Sequence, residues 1–85
     1  MIRQFETKQE ECLVILMEEC GELIQECSKM IRKNNYSSEN FNKEIGDVIA
    51  MLQLASKYCL YDEKKAIEHA SAKMEKLKKW SNLIE

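Results

Sequence analysis

Apolar residues recur along the first part of the chain in steps of three and four. Phe5, Cys12, Leu13, Leu16, Cys20, Leu23, Ile24, Cys27, Met30 and Ile31 follow this spacing, which is that of a helix and not the alternation of a strand. The pattern predicts one long helix over about residues 2–33. It breaks at Asn34-Asn35-Tyr36-Ser37-Ser38. Ser37 or Ser38 is suited to cap a second helix, with Glu39 favourable near its positive end. That second helix is predicted over about 39–58. Phe41, Ile45, Val48, Ile49, Leu52, Ala55 and Cys59 give it a wide apolar face. Met51 and Leu54 widen the face further, so its C-terminal half is expected to be buried nearly all round. Asp62 is placed to cap a third helix over about 63–80, whose stripe is Ile67, Ala70, Met74 and Leu77. The other faces of that helix are rich in lysine, and the residues after Trp80 are expected to form a loose tail.

Composition narrows the fold class. The chain has 85 residues, no proline and only two glycines, Gly21 and Gly46. A turn-rich all-β fold is therefore excluded. The expectation is an all-α fold, a small helical bundle of about three helices in a single domain spanning 1–85, with its core over about 5–80. So small a bundle buries a low fraction of its surface, which makes oligomerisation the expected source of additional core. Thirteen basic and fifteen acidic residues leave a net charge of -2, so there is no basic footprint for a nucleic-acid polymer. No apolar run reaches membrane-spanning length and the first residues lack a signal-peptide core, so a cytoplasmic protein without a membrane partner is expected. Cys12, Cys20, Cys27 and Cys59 form no C-x-x-C pair. They are expected to be small buried hydrophobes, not zinc ligands.

The acidic residues are more informative. With Glu19 as the origin of a helical wheel, Glu26 falls near ~-20°, Glu22 near ~-60°, Glu11 near ~-80° and Glu18 near ~-100°. Leu16, Leu23 and Cys27 occupy the adjoining arc, so the acidic strip borders the apolar stripe. Like charges four apart on one helix repel, and no lysine sits within the Glu18–Glu22 group. The second helix repeats the arrangement: Glu44 and Asp47 are three apart, Ile45 and Val48 flank them, and Lys43 is the nearby base. If the two helices pack antiparallel, Glu19, Glu22, Glu44 and Asp47 converge. Four carboxylates suit a hard cation such as Mg²⁺ or Mn²⁺; the alternative is a pair of solvated acidic faces. A ferritin-like di-iron site is disfavoured, because it needs Glu-x-x-His and His69 directly follows Glu68. Each glycine immediately precedes one of these acids. A close helix approach, a ligand beside the backbone or simple tight packing each accounts for a mid-helix glycine.

Glu18-Glu19-Cys20-Gly21-Glu22-Leu23 followed by Glu44-Ile45-Gly46-Asp47-Val48-Ile49 resembles the MazG-type all-α nucleoside triphosphate pyrophosphohydrolases. Their pattern is E-E-x-x-E, a variable gap, then E-x-x-D. The resemblance covers about residues 10–80. It implies helical bundles completed by assembly into a homodimer or homotetramer, and Mg²⁺-dependent cleavage of a nucleoside triphosphate between the α and β phosphates. The products would be a monophosphate and pyrophosphate. Carried onto this chain, it makes Glu19, Glu22, Glu44 and Asp47 the metal ligands, with Glu18 supporting them. Glu22 or Glu18 would accept the proton of the attacking water, and the sequence does not choose between them. Lys73, and after it Lys76, are the matches for a phosphate-binding base on the third helix. The family often has Asn near the position of Ala70 and Arg near that of Lys76, and this chain departs from it at both. The readings set against this one are a helical oligomerisation or adaptor module, a catalytically degenerate nucleotide-binding relative, and a phosphoribosyl-ATP pyrophosphohydrolase.

Overall fold

In a computed structural model, which describes residues 5–84, the chain forms three helices in succession. They are α1 (Lys8–Lys33), α2 (Glu39–Lys57) and α3 (Glu63–Trp80). No strand occurs among the described residues. The helix starts follow from side-chain caps. Thr7, extended at φ -141° and ψ 160°, accepts from the Glu10 N–H, so α1 begins at Lys8, later than the apolar spacing predicts. Residues 2–4 of the expected helix lie outside the described residues. Ser38 caps α2 by accepting from the Phe41 N–H, and Asp62 caps α3 by accepting from the Lys65 N–H.

The first two helices end in the same way. Asn34 and Cys59 both adopt left-handed backbone, at φ 51° and 62°. The following residue then reaches back five positions: Asn35 N–H to the Met30 carbonyl at 3.0 Å, and Leu60 N–H to the Ala55 carbonyl at 2.9 Å. Each is a Schellman closure that satisfies carbonyls the helix would otherwise strand. Beyond Trp80 the chain leaves the helix, with the Ser81 N–H still bonded to the Leu77 carbonyl.

α1 and α2 pack antiparallel. Gln9 donates to the Tyr58 carbonyl at 2.8 Å, the Cys12 thiol lies 3.9 Å from the Met51 carbonyl, and Ser38 donates to Glu26 at 3.1 Å. Early residues of α1 thus meet late residues of α2. Cys12, Met51 and Ala55 are buried between them, with Ile15, Leu16, Tyr58, Leu60 and Tyr61 packed around. The Tyr61 hydroxyl donates to the Leu52 carbonyl at 3.1 Å and ties the α2–α3 turn to α2.

Two expectations about burial fail in the single chain. The C-terminal half of α2 is buried on one side only, since Ile49, Leu52 and Leu54 are exposed. Among the cysteines only Cys12 is buried; Cys20, Cys27 and Cys59 are exposed. The cause is common to both. α3 makes only marginal contact with the α1–α2 pair and buries none of its own residues, so the third wall of the bundle is missing. The radius of gyration is 15.7 Å, against about 12 Å for a compact domain of this length. No helix among the described residues is long and apolar enough to cross a membrane.

Candidate metal centre

The antiparallel pairing brings two short acidic motifs face to face. On α1, Glu19 and Glu22 are three residues apart; on α2, so are Glu44 and Asp47. Side chains at this spacing project from one face of a helix. One carboxylate oxygen from each of the four lies within 4.8 Å of the others. Glu44 is buried, Glu19 and Asp47 are half-buried, and Glu22 opens to solvent. The site therefore has a dry floor at Glu44 and Glu19 and a wetter mouth at Glu22 and Asp47.

The floor is not satisfied by protein. Glu19 Oε2 and Glu44 Oε2 are buried and, among the described residues, receive no hydrogen bond. Buried carboxylate oxygens cost free energy unless they are paired. Lys43 offsets part of the charge from the rim: its Nζ lies 3.5 Å from Glu44 Oε1 and 3.8 Å from Asp47 Oδ2. Glu44 and then Asp47, with a smaller contribution from Glu22, raise the Lys43 ammonium above its ordinary 10.5. One exposed monovalent cation cannot balance four carboxylates. The donor set is all hard oxygen, with two oxygens still lacking a donor, and so fits a hard divalent cation.

The other candidates are placed differently. Glu18 is exposed on α1 and stands outside the group of four. Lys73 is exposed on α3, its Nζ 5.2 Å from the centre of the Trp80 ring. Lys76 is exposed on the same helix. Among the described residues neither lysine pairs with a member of the cluster. Of the three accounts of the glycines, close helix approach and tight packing find no support within this chain. A Cβ on Gly21 or Gly46 would meet nothing within 4 Å, so no close helix approach within this chain requires them.

Glu26 carries a feature that the periodicity did not reveal. It is a buried carboxylate that accepts from the Ser38 hydroxyl. Its place on the acidic strip, one turn beyond Glu22, was the available signal; its burial depends on where α2 begins.

Fold and site together define an all-α protein with a four-carboxylate cluster between two antiparallel helices, which could hold a metal ion. The chain belongs to the MazG nucleotide pyrophosphohydrolase domain family, whose model matches residues 7–82. No curated protein and no solved structure matches it.

Proposed function

We propose that this protein hydrolyses nucleoside triphosphates between the α and β phosphates, with water as co-substrate and a nucleoside monophosphate and pyrophosphate as products. The observation that carries the reading is the convergence of Glu19, Glu22, Glu44 and Asp47, with two buried oxygens lacking donors, in a chain of this family. These four residues would hold Mg²⁺, for which Mn²⁺ is a chemical substitute. Bound Mg²⁺ supplies charge neutralisation at the triphosphate.

The remaining work falls to the chain. Glu22, at the solvent-facing mouth, and Glu18, which precedes Glu19 on α1, are the candidates to orient a water and accept its proton as the P–O bond forms. The proton leaves the water as the bond between the bridging oxygen and the attacked phosphorus breaks. Lys73 and Lys76 are the candidates to contact phosphate, as exposed cations on α3. A cytoplasmic setting fits the substrate and the free thiols.

The same reading includes a homodimer or homotetramer. Among the described residues three apolar side chains are buried, too few to hold a domain of this size together. Meanwhile Ile67, Met74 and Trp80 on α3 and Met17, Ile24 and Ile31 on α1 stand open to solvent. A second copy supplies matching apolar faces. This exposed surface also suits an adaptor without catalysis, and turnover separates the two. Purified protein is incubated with Mg²⁺ and a panel of canonical and modified nucleoside triphosphates, and the products are separated. Monophosphate with pyrophosphate is the expected pair. Release of inorganic phosphate, or no turnover in either Mg²⁺ or Mn²⁺, overturns the proposal.

A further inference from the structure

Four carboxylates facing one another across two helices repel, and something must hold the helices in register around them. On one side of the cluster the apolar group of Cys12, Met51 and Ala55 does this. On the other side, toward the α1–α2 connection, the apolar side chains among the described residues, Leu23, Met30, Phe41 and Ile45, are only half-buried. The residue buried there is Glu26, at 9% exposure. The chain's linkage through residues 34–38 keeps the helix ends close but does not stop α2 from rolling about its axis. A roll equivalent to one residue is about 100° and would turn Glu44 and Asp47 away from α1.

Ser38 meets this need with one oxygen. Its hydroxyl donates to Glu26 Oε1 at 3.1 Å and accepts from the Phe41 N–H at 3.2 Å. The first bond fixes the start of α2 to α1, and the second fixes the helical phase of α2 relative to that point. Glu26 lies one turn beyond Glu22, and Ser38 lies six residues before Glu44. The tie and the apolar group thus flank the cluster on its two sides.

We propose that Glu26 and Ser38 are positioning residues: their hydrogen bond sets the roll of α2 that brings Glu44 and Asp47 onto Glu19 and Glu22. The inference rests on the reading of that cluster as a metal centre. It assigns neither residue a contact with metal or substrate.

Ser38→Gly is the informative change. Glycine caps a helix nearly as well as serine, so α2 keeps its start while the donor to Glu26 is lost. A half-open polar pocket of about 240 Å³, lined by both residues and by Lys29 and Lys33, admits water to Glu26, which allows the variant to fold. Mn²⁺ binding to the nucleotide-free protein, counted by electron paramagnetic resonance, is the readout, with thermal melting in chelator as the control. Ser38→Gly and Glu26→Ala should each weaken Mn²⁺ affinity by about tenfold, the low end for residues that orient metal ligands. Ser38→Thr, which keeps the hydroxyl, should restore it. The double variant should lose no more than the worse single one, because the two changes remove the same Ser38–Glu26 bond. Additive losses, or wild-type affinity in Ser38→Gly with only a lowered melting temperature, overturn the proposal. A wild-type protein that binds no Mn²⁺ removes the metal centre, and with it this inference.

Discussion

Replacing Glu44 by Gln removes one negative charge from the driest position of the cluster while preserving side-chain volume. Its oxygen lies within 4.8 Å of one oxygen each from Glu19, Glu22 and Asp47. At that separation two unit charges repel by about 3.5 kcal/mol at an effective dielectric of 20, and by about 0.9 kcal/mol in water. Glu22 is solvated and Lys43 already offsets part of the charge, so the sum over three neighbours is far from fully expressed. A net gain of about 1–3 kcal/mol for the metal-free protein is reasonable. For a domain of this length each kcal/mol moves the melting temperature by about 4–8 °C. The variant should therefore melt higher than wild type in chelator. Divalent metal reverses the order. A cation that binds only the folded state stabilises wild type by about 2.7 kcal/mol at a hundred times its dissociation constant, and the variant, lacking a ligand, gains far less. The assay is thermal melting by circular dichroism at one protein concentration, in chelator and across a Mg²⁺ series, alongside nucleotide turnover, which should be lost. A variant that melts below wild type in chelator would refute the electrostatic account. So would equal Mg²⁺ responses from the two proteins.

Lys43 sits on two of the four carboxylates, so Lys43→Gln should raise divalent affinity in the absence of nucleotide by a few-fold, read by titration calorimetry; a fall in affinity counts against the assignment. Pairing raises the Lys43 ammonium above 10.5, so its stabilising contribution is complete below pH 10.5 and is lost as pH rises through the higher folded-state value. The difference in melting temperature between wild type and Lys43→Gln should accordingly hold steady up to that pH and shrink above it. Ile67→Asp with Met74→Asp places charge on the open stripe of α3. Sedimentation should then fall from a multiple of 10.0 kDa to the single-chain mass, or the chain should lose its fold. An unchanged oligomer would mean that α3 is not the contact.

The elements were legible in the sequence because their causes are local. Apolar spacing of three and four defines a helix without reference to any other segment. The caps are equally local: Ser38 and Asp62 act through N–H groups three residues onward, and Asn34 closes α1 against its own last turn. Thr7 was the cap that periodicity alone concealed, since Phe5 fits the helical spacing yet precedes the start of α1. The pairing of Glu19 with Glu22, and of Glu44 with Asp47, is also local, because an interval of three places two side chains on one helical face whatever surrounds them.

What tertiary structure decided is everything that depends on the register between helices. Antiparallel packing brought the two acidic pairs within 4.8 Å, sank Glu44 and left two oxygens without donors among the described residues. The same register buried Glu26 against Ser38 and set Lys43 at the rim. It also left Cys20, Cys27 and α3 open, where apolar periodicity had implied a covered surface. The reason is physical. A hydrophobic stripe states that a face is to be buried, but the attraction is non-directional and carries no record of the partner. Partner and register come from steric fit and hydrogen bonds between residues distant in the chain, and no local pattern encodes those.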